Sequence, residues 1–424
     1  MQRVLIIGGG GREHAIAWKL HQEGHEIHAA PGNPGMALFA RCVALDAKNH
    51  LSVVRYVKDN AIDFVVVGPE APLGDGIVDT FNGLNLAIFG PTKAASRIET
   101  SKYWCCGLLE DARVSIPFTS YFASFASMRE EVQGTHGRIV IKKSGLAAGK
   151  GAEVIRMASD LPGALARLER LEDDQYLVQE MEEGPELSFF VLTDGDDFLF
   201  GGSAQDYKPL HSGGPNTGGM GGFSPHPILT AELKTQIEET IVRPTIKALA
   251  NCGCPYKGVM YFQLMITKRG PVVIEINCRF GDPETQLLMP LLDCELLPLL
   301  QATTKFGFLR MFEAKFKPEV AVGIVMASEG YPDKPITGRA IIGLDLGPEH
   351  VGPNDYAHVF HAGTKLVDGQ VVTSGGRVLT VVGTAPDYYT AKNVAMKAVS
   401  LIKFEGEYHR EDIADEVIAT ETRG

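Results

Sequence analysis

The chain has 424 residues, of which 45% are hydrophobic and 22% are charged, and its formal net charge is −12. The length predicts roughly three domains of about 150 residues each, and the composition is typical of a soluble globular protein. The negative charge argues against non-specific nucleic-acid binding, which needs a basic surface. It leaves room for a local cationic pocket that binds a phosphorylated metabolite.

Membrane insertion and disulfide bonding are both disfavoured. No apolar run reaches the roughly 18 residues that a membrane helix needs, and the N-terminal MQRVLIIG lacks the pattern of a signal peptide. The seven cysteines are odd in number and include no C-x-x-C pair, so neither a disulfide framework nor a thiolate zinc site is indicated. We expect a cytoplasmic protein with reduced thiols.

The first hundred residues alternate short apolar strands with helices. Strands are predicted at residues 4–7, 26–30, 64–67 and 86–89, and a helix at 12–22. This alternation indicates a parallel, doubly wound sheet, in which ligands bind at the carboxyl ends of the strands. The segments GGGGREH and GPEAPL lie at such ends.

A nicotinamide-binding site at the GGGG loop fails two tests. Glu13 stands where the G-x-G-x-x-G pattern needs glycine, and the second strand runs into Ala30 and Pro31 instead of an acidic residue. The four glycines form either a tight strand–helix turn or a backbone anion site at a helix N-terminus. We favour the anion site, because one turn does not need four glycines.

A second glycine loop, GLAAGKG at residues 145–151, follows a predicted strand at 139–142. It differs from the P-loop because a glycine replaces the metal-binding hydroxyl after the lysine, so a metal must be held elsewhere. Strands at 176–180 and 186–193 are predicted to form a pair. The loop at 213–222, with six glycines, has the length and composition of a functional lid.

Further elements are predicted in the second half of the chain. A helix is predicted at 230–252 and a hairpin at 261–276. Beyond residue 318, strands at 321–327, 340–344 and 377–383 and a helix at 389–402 indicate a third unit packed on the core.

The segment EINCRFGDPE, residues 275–284, carries the main chemical signal. On a strand, Glu275 and Asn277 project to the same face, with Arg279 two residues further along. A carboxylate and an amide oxygen are hard ligands suited to Mg²⁺, which usually also binds water and substrate phosphates. The alternative is an exposed strand end with solvated charges, but together with the glycine loop and nearby lysines we favour a metal site.

Six segments resemble, in order, those of the phosphoribosylamine–glycine ligases (glycinamide ribonucleotide synthetases), which are ATP-grasp enzymes: LAAGKG, AQDYK, GPNTGGMG, EINCRFGDPETQ, FHAGT and SGGRVL. The resemblance covers nearly the whole chain. It implies an α/β protein with an ATP-grasp fold, an N-terminal doubly wound parallel-sheet domain and a C-terminal mixed α+β domain. The implied domains are residues 1–100, 101–317 with a mobile flap at about 118–190, and 318–424.

The resemblance also implies an ATP-dependent amide ligation in purine biosynthesis. Glycine's carboxylate would attack the γ-phosphate to give glycyl phosphate, and the amine of 5-phosphoribosylamine would then displace phosphate. Oxide is a poor leaving group and phosphate a good one, so the protein's part is positioning and charge neutralisation. We expect small-molecule partners only, with no nucleic acid or membrane, and a monomer or weak homodimer.

Roles follow by position in the matched motifs. Glu275 and Asn277 would hold Mg²⁺ or Mn²⁺, and Arg279 would stabilise the transferring phosphate. The residues assigned to ATP are Lys102, Lys142, the flap residues Gly145, Gly149, Lys150 and Gly151, the adenine-contacting Glu180, Met181 and Glu183, and the ribose-binding Glu186. The residues assigned to glycine and the amine are Asp206, Asn216, Thr217, Gly218, Gly219, Met220 and Gly221, with Gly10, Gly11 and Glu70 holding phosphoribosylamine.

The chain departs from the family at several of these places. Lys143 and Ser144 stand where the family has Ala-Asp before the flap glycine, and Tyr207 replaces a histidine. We hypothesise that Lys143 tightens nucleotide binding electrostatically. Gln263 lies where related ATP-grasp enzymes place a second metal carboxylate, and its carbonyl would bind a metal only as a neutral ligand.

Other interpretations stay open at this point. Lys102, Lys142 and Glu186 are also compatible with solvated surface positions and Asp206 with a turn, while His361 in FHAGT fits a structural or substrate-lining role better than metal binding. The rival functions are an ATP-grasp carboxylase that uses bicarbonate instead of glycine, and a nucleotide-binding protein without catalytic activity.

Overall fold

The structure is a computed structural model that describes residues 1–147, 151–171, 175–344 and 356–421. The described residues form sheets of five, four and eight strands and a separate two-stranded sheet. No helix in the described ranges is long and apolar enough to span a membrane.

The N-terminal sheet is parallel, with strand order β3-β2-β1-β4-β5. Its strands are β1 (Arg3–Gly8), β2 (Glu26–Pro31), β3 (Arg41–Cys42), β4 (Phe64–Val67) and β5 (Ile88–Phe89). Its helices are α1 (Gly11–Gln22), α2 (His50–Asp59), α3 (Glu70–Asp75), α4 (Ile77–Gly83) and α5 (Lys93–Thr100), with a 3-10 turn at Met36–Leu38. The apolar residues of β1 and β4 are buried on both faces, as expected for central parallel strands. The doubly wound prediction is confirmed, and β1 and β4 end together where α1 and α3 begin.

A small antiparallel sheet with order β6-β9-β7-β8 follows. It contains β6 (Thr119–Phe122), β7 (Ile139–Lys143), β8 (Ala152–Ile155) and β9 (Tyr176–Glu180), and the accompanying helices are α6 (Lys102–Asp111), α7 (Phe125–Val132) and α8 (Leu161–Glu169), with a 3-10 turn at Ala158–Asp160. This unit has its own apolar core, which includes Met128, Ile141, Leu168 and Tyr176. The second glycine loop connects β7 to β8.

The largest sheet is antiparallel, with order β14-β13-β10-β11-β12-β15-β19-β16. Its strands are β10 (Glu186–Thr193), β11 (Phe198–Asp206), β12 (Gly221–Ser224), β13 (Gly258–Thr267), β14 (Gly270–Asn277), β15 (Val320–Ala327), β16 (Tyr356–His361) and β19 (Arg377–Ala385), while β17 (Thr364–Val367) and β18 (Gln370–Thr373) form a separate hairpin. The helices are α9 (Ala231–Ile237), a π-helical turn (Glu238–Val242), α10 (Arg243–Asn251), α11 (Glu284–Leu291), α12 (Leu296–Thr303), α13 (Tyr388–Leu401) and α14 (Asp415–Glu421), with a 3-10 turn at Leu309–Met311.

Helix α11 lies at the centre of the molecule. All its residues from Glu284 to Leu291 are buried, and it packs against α1 of the N-terminal unit and against β11, β12 and β15 of the large sheet. Helix α1 of the N-terminal unit therefore packs against α11, which follows β14 along the chain. This packing determines which loops meet at the edge of the large sheet.

Two sequence predictions about strands are wrong. Residues 176–180 and 186–193 do not pair: β9 lies between β6 and β7, whereas β10 lies between β11 and β13. Strand β10 hydrogen-bonds to β11 along one edge and to β13 along the other, so it has no free edge for β9. Residues 340–344 form no regular strand but only isolated bridges at Ala340 and Ile342, because Ile342 is exposed and Gly343 has a φ of +78°.

The C-terminal strands extend the central sheet instead of forming a sheet of their own. Strand β12 pairs with β11 on one side and with β15 on the other. The predicted boundary at residue 318 is thus crossed by one continuous sheet, and the domain limits stay predictions. The predicted helix at 230–252 and hairpin at 261–276 are present.

Candidate active site

The carboxyl end of β14 gathers the residues that the sequence assigned to metal and phosphate. Strands β13 and β14 pair Gln263 with Glu275 and then Leu264 with Val273, so Ile274 is an extra residue in a bulge. The carbonyl of Ile274 accepts a hydrogen bond of 2.8 Å from Lys142 Nζ. Bulges commonly redirect side chains next to active sites. Through its bond to Lys142, the bulged Ile274 of β14 connects to β7 of the small antiparallel sheet.

Glu275 lies among three lysines. Its Oε1 is 3.5 Å from Lys102 Nζ. Burial by itself would raise the pKa of Glu275, but the charges of Lys102, Lys208 and Lys142 outweigh it and lower the pKa to about 2. Burial lowers the pKa of Lys142, and Glu275 partly offsets that effect. The carboxylate is therefore ionised and surrounded by positive charge.

Local sequence explains how Lys102 reaches this position. Ser101 caps helix α6, its hydroxyl accepting from the backbone N–H of Trp104, so that Lys102 is the first helical residue. The Lys102 N–H donates to the carbonyl of Ser144 at 3.0 Å, and the Ser144 hydroxyl accepts from Tyr103 N–H at 3.1 Å. Ser144 thus connects the start of α6 to the end of β7.

Arg279 is held by several acceptors at once. Its guanidinium donates to Asn277 Oδ1 at 3.2 Å, and it lies 3.2 Å from Glu70 and 3.0 Å from Glu99. Burial opposes its charge, but Glu99 and Glu70 raise the pKa of Arg279 above its usual value. Burial likewise opposes ionisation of Glu70, yet Arg279 and Arg12 lower the pKa of Glu70. Glu70 and Arg279, predicted separately, are in contact.

The GGGG loop is tightly packed against the residues that follow Arg279. Gly10 is the N-cap of α1, and its N–H donates to Glu13 Oε2 at 2.7 Å. A Cβ atom on Gly11 would lie 2.5 Å from Gln286 Nε2 of α11. Glycine at position 11 therefore allows α1 and α11 to pack closely. Part of the predicted anion-binding backbone is already bonded within the protein.

Asp206 is the last residue of strand β11, and its pKa is shifted in the opposite direction to that of Glu275. Its Oδ1 is buried and has no hydrogen-bond partner among the described residues. Burial and the neighbouring Glu284 raise the pKa of Asp206 well above its usual value. Gly219 of the lid loop has a φ of +115°, and a Cβ atom there would lie 2.5 Å from Asp206 Oδ1.

The rest of the lid loop is anchored from both sides. Thr217 donates through its N–H (2.8 Å) and its hydroxyl (2.7 Å) to the carbonyl of Lys208. Arg377 Nη1 donates to the carbonyls of Gly218 and Asp282, each at 2.7 Å. Asn216 forms an isolated bridge with Pro209.

Two lid residues were assigned to substrate incorrectly. The side chain of Met220 is fully buried with Val325 and Ala327, which indicates a packing role. Gly221 is part of β12 and pairs with Ile324 of β15. A glycine-rich segment such as GPNTGGMG does not reveal from its sequence alone which of its residues enter the sheet.

The predicted adenine-binding segment follows β9. The Met181 N–H donates to the carbonyl of Arg138, and the exposed Glu183 forms a 2.9 Å ion pair with the Arg138 side chain. The Met181 N–H is therefore bonded within the flap instead of being directed at a base. Glu180 is exposed at the strand end. Glu186 lies apart from it, on β10, where its Oε2 accepts from Gln263 Nε2 at 3.0 Å.

The glycine flap is described in part. Gly149 and Lys150 lie outside the described residues. Gly145 follows β7, and the carbonyl of Gly151 accepts from Lys143 N–H at 2.8 Å. The Lys143 ammonium donates to the carbonyl of Leu171 at 3.2 Å.

Sequence reasoning missed three charged residues of this region. Lys208 donates to Gln263, Glu99 pairs with Arg279, and Arg377 bonds both the lid loop and Asp282. Lys208 and Arg377 stand inside the quoted motifs AQDYK and SGGRVL, so those motifs were the available signal. Glu99, on α5, has no such signal because its partner is 180 residues away.

The metal prediction can be tested on the donor set. No group of three or more His, Cys, Asp or Glu side chains suitable for a metal occurs within the described ranges. Glu275 and Asn277 supply two hard oxygens on one strand, which fits a cation whose other ligands are phosphates and water. The backbone N–H of His361 donates to His14 Nδ1 at 2.8 Å, and the His361 ring bonds the Thr364 hydroxyl, as expected for a structural residue.

Comparisons with known proteins agree with this geometry. Models of phosphoribosylglycinamide synthetase match the chain consecutively: the N domain at residues 2–99, the ATP-grasp (A) domain at 100–285 and the C domain at 321–416. The phosphoribosylamine–glycine ligase of Rhodopirellula baltica is 40% identical, and the alignment covers 98% of each chain.

Solved structures extend the comparison to the fold. The phosphoribosylamine–glycine ligase of Thermotoga maritima superposes with a TM-score of 0.82 at 29% identity, covering 97% of this chain and 100% of that one. The biotin carboxylase domain of Hydrogenobacter thermophilus 2-oxoglutarate carboxylase, in complex with MgADP, ADP and bicarbonate, has a TM-score of 0.71 at 14% identity, covering 97% and 92%. That second likeness shows a shared fold alone. This chain belongs to the phosphoribosylamine–glycine ligase family, the ATP-grasp enzymes that join glycine to 5-phosphoribosylamine in an ATP-dependent step of purine biosynthesis.

Proposed function

We propose that the ligation passes through glycyl phosphate, formed at the carboxyl end of β14. The observation that supports this most directly is the environment of Glu275, whose pKa is lowered to about 2 by Lys102, Lys208 and Lys142 in spite of burial. A concentration of cations around one carboxylate attracts a polyanion. A triphosphate is the polyanion that the reaction supplies.

Glu275 and Asn277 would hold the divalent cation, Mg²⁺ or Mn²⁺. The cation, when bound, would neutralise charge on the ATP phosphates and help align the triphosphate. Glu275 contacts Lys102 through one carboxylate oxygen, and Asn277 Oδ1 accepts one bond from Arg279, so each keeps a lone pair that could bind the cation.

Lys102 and Lys142 are proposed to bind the phosphates, and the flap residues Gly145, Gly149, Lys150 and Gly151 are proposed to cover them. Arg279 is the residue proposed to stabilise charge on the transferring phosphoryl group. Its guanidinium is already oriented by Glu99 and Glu70, so little reorganisation is needed during the reaction. Glu180, Met181, Glu183 and Glu186 remain the proposed nucleoside side of the site.

Glycine is proposed to bind with its ammonium group against Asp206. The unpartnered Oδ1 of Asp206 is the acceptor that such a cation needs. Gly219 brings backbone close to this oxygen, since a Cβ atom on Gly219 would lie 2.5 Å from it. Asn216, Thr217 and Gly218 would border the same space.

5-Phosphoribosylamine is proposed to approach from the N-terminal unit, past Gly10, Gly11 and Glu70. Its amine attacks the acyl carbon of glycyl phosphate, forming the C–N bond while the C–O bond to phosphate breaks and the amine loses a proton. The glycine oxygen that attacked ATP leaves with the phosphate. This oxygen transfer makes the intermediate testable.

The test uses glycine labelled with ¹⁸O in its carboxylate. We expect one ¹⁸O in each released phosphate, detected by mass spectrometry, and ADP release that requires glycine. Unlabelled phosphate would overturn the acyl-phosphate route. ADP release with bicarbonate in place of glycine would favour the carboxylase alternative, and nucleotide binding without turnover would favour the inactive one.

A further inference from the structure

Lys208 is one of the three lysines around Glu275, and no binding partner of its own in the reaction has been assigned to it so far. It lies two residues beyond Asp206, and its carbonyl is held by two hydrogen bonds from Thr217. Tyr207 points the opposite way, its hydroxyl bonding Glu416 and the Ala414 N–H. Asp206 and Lys208 therefore share one side of an extended segment, as residues i and i+2 do.

The ammonium of Lys208 has an unusual partner for a buried cluster. It donates to Oε1 of Gln263, a neutral amide. No carboxylate lies within ion-pair distance of Lys208 among the described residues. An ammonium group has three donors, so one bond to Gln263 leaves capacity for an incoming anion.

Gln263 is itself fixed on both sides. It sits on β13 directly opposite Glu275, and its Nε2 donates to Glu186 Oε2 at 3.0 Å. This amide therefore connects Glu186 to Lys208. The side chain is 5% exposed, so its orientation is set by these two bonds.

Lys208 lies between two parts of the site, because it follows Asp206 by two residues and its ammonium bonds Gln263, the cross-strand partner of Glu275. Its charge acts on Asp206, on the glycine side, and on Glu275, on the phosphate side. The reacting glycine carboxylate must lie between those two places. Because both that carboxylate and the γ-phosphate are negative, a cation between them lowers the repulsion of their approach.

We propose that Lys208 binds the carboxylate of glycine and orients it toward the γ-phosphate, and that Gln263 is the positioning residue that holds Lys208 there. This inference rests on the proposed binding of the glycine ammonium at Asp206. Asp206 and Lys208 then form a complementary pair for a zwitterion, with an anion for the ammonium group and a cation for the carboxylate. Specificity for glycine follows from the pair together with Gly219.

The experiment compares glycine with glycinamide, which keeps the ammonium group but lacks the carboxylate. In Lys208→Met, we expect the KM for glycine to rise by about 10- to 100-fold, the range for losing a hydrogen bond between charged groups. The inhibition constant of glycinamide against glycine should change by less than about threefold, since glycinamide has no carboxylate for Lys208 to bind. Lys208→Arg should recover part of the glycine affinity.

Two further variants test the positioning role of Gln263 and provide a control for the loss of a lysine elsewhere. Gln263→Leu should raise the KM for glycine by about 3- to 10-fold, because Lys208 loses only its orienting bond. Lys247→Met, an exposed lysine on α10, is the matched control and should leave both constants unchanged. Thermal unfolding of each variant checks that it is folded, and Lys208→Gln substitutes if Lys208→Met is not.

A glycine KM within threefold of wild type in folded Lys208→Met, or equal losses of glycine and glycinamide binding, would overturn the role of Lys208. A rise confined to the KM for ATP would assign Lys208 to phosphate instead. The labelled-oxygen experiment separates this result from the reaction route. If the residual turnover of Lys208→Met still transfers ¹⁸O, the glycyl phosphate route stands whatever Lys208 binds.

Discussion

Glu275 near the end of β14 and Asp206 at the end of β11 are two carboxylates on one sheet, with β13 and β10 between their strands, and their environments are opposite. Glu275 is surrounded by lysines, and its pKa is lowered to about 2 despite burial. Asp206 has a buried oxygen without a partner in the described residues, and burial and Glu284 raise its pKa. This difference is the basis of the proposal that an anionic group binds beside Glu275 and a cationic group binds Asp206.

The largest effect is expected at Glu275. Glu275→Gln removes a proposed metal ligand and leaves the lysines without their carboxylate, so turnover should fall by about 10²- to 10³-fold, as for loss of a principal electrostatic group. ADP release at saturating substrates measures it. Glu239→Gln, on the exposed face of the π-helical turn, is the control. Near-normal turnover in Glu275→Gln would contradict the metal assignment.

Asp206→Asn should separate substrate affinity from stability. Loss of a charged acceptor should raise the KM for glycine by about 10- to 100-fold, while the KM for ATP changes little. The variant should also be more stable than wild type without substrates, since a buried carboxylate next to Glu284 is replaced by a neutral amide. Urea unfolding of the substrate-free protein measures the second effect, and a less stable Asp206→Asn would contradict it.

The two carboxylates should also differ in how their stability contributions depend on pH. Asp206 has a raised pKa, so the folded state binds its proton more tightly and wild-type stability falls as pH rises above the ordinary aspartate value toward the folded one. The stability advantage of Asp206→Asn should therefore grow as pH rises from about 5, above the ordinary values of both carboxylates, toward the folded pKa of Asp206. Glu275 has a lowered pKa, and the stability it adds is complete above its ordinary value of 4.5 and is lost only as pH falls toward about 2.

The deficit of Glu275→Gln should accordingly stay constant over that same interval. Urea unfolding of wild type and both variants at several pH values gives the two slopes. Equal slopes for the two variants would contradict the opposite environments of Glu275 and Asp206.

The smallest effect is expected at Lys143, in contrast to its neighbour. Lys142 Nζ bonds the bulged Ile274 at the metal strand, whereas Lys143 Nζ donates to Leu171. Lys143→Ala should change the KM for ATP by less than about threefold, as for a group that acts only at a distance, and Lys142→Ala by more than tenfold. A large effect of Lys143→Ala would restore the hypothesis that its charge tightens nucleotide binding.

Much of the fold and of the site was predictable from sequence. The parallel N-terminal sheet followed from apolar strands alternating with helices, and the proximity of Glu275, Asn277 and Arg279 followed from strand periodicity, which is a local property of the chain. The strand pairing of residues 176–180 with 186–193 was wrong, because pairing depends on which strands need a neighbour on both edges.

The roles of Lys208, Glu99 and Gln263 illustrate the same limit. Lys208 stands in a motif quoted from the sequence, but its bond to Gln263 joins residues 55 positions apart, and Glu99 meets Arg279 only because α5 packs behind β14. Met220 was assigned to substrate from its motif, although its side chain lies in the core.

The amino-acid order alone therefore determined the residue types, their spacing and the family, since these depend on neighbours along the chain. Only the tertiary structure decided that Glu275 is surrounded by several lysines and that Asp206 Oδ1 has no hydrogen-bond partner among the described residues. Burial and charge act through space and fall off over a few ångströms, so they depend on which distant segments the packing of α11 and the continuous sheet bring together.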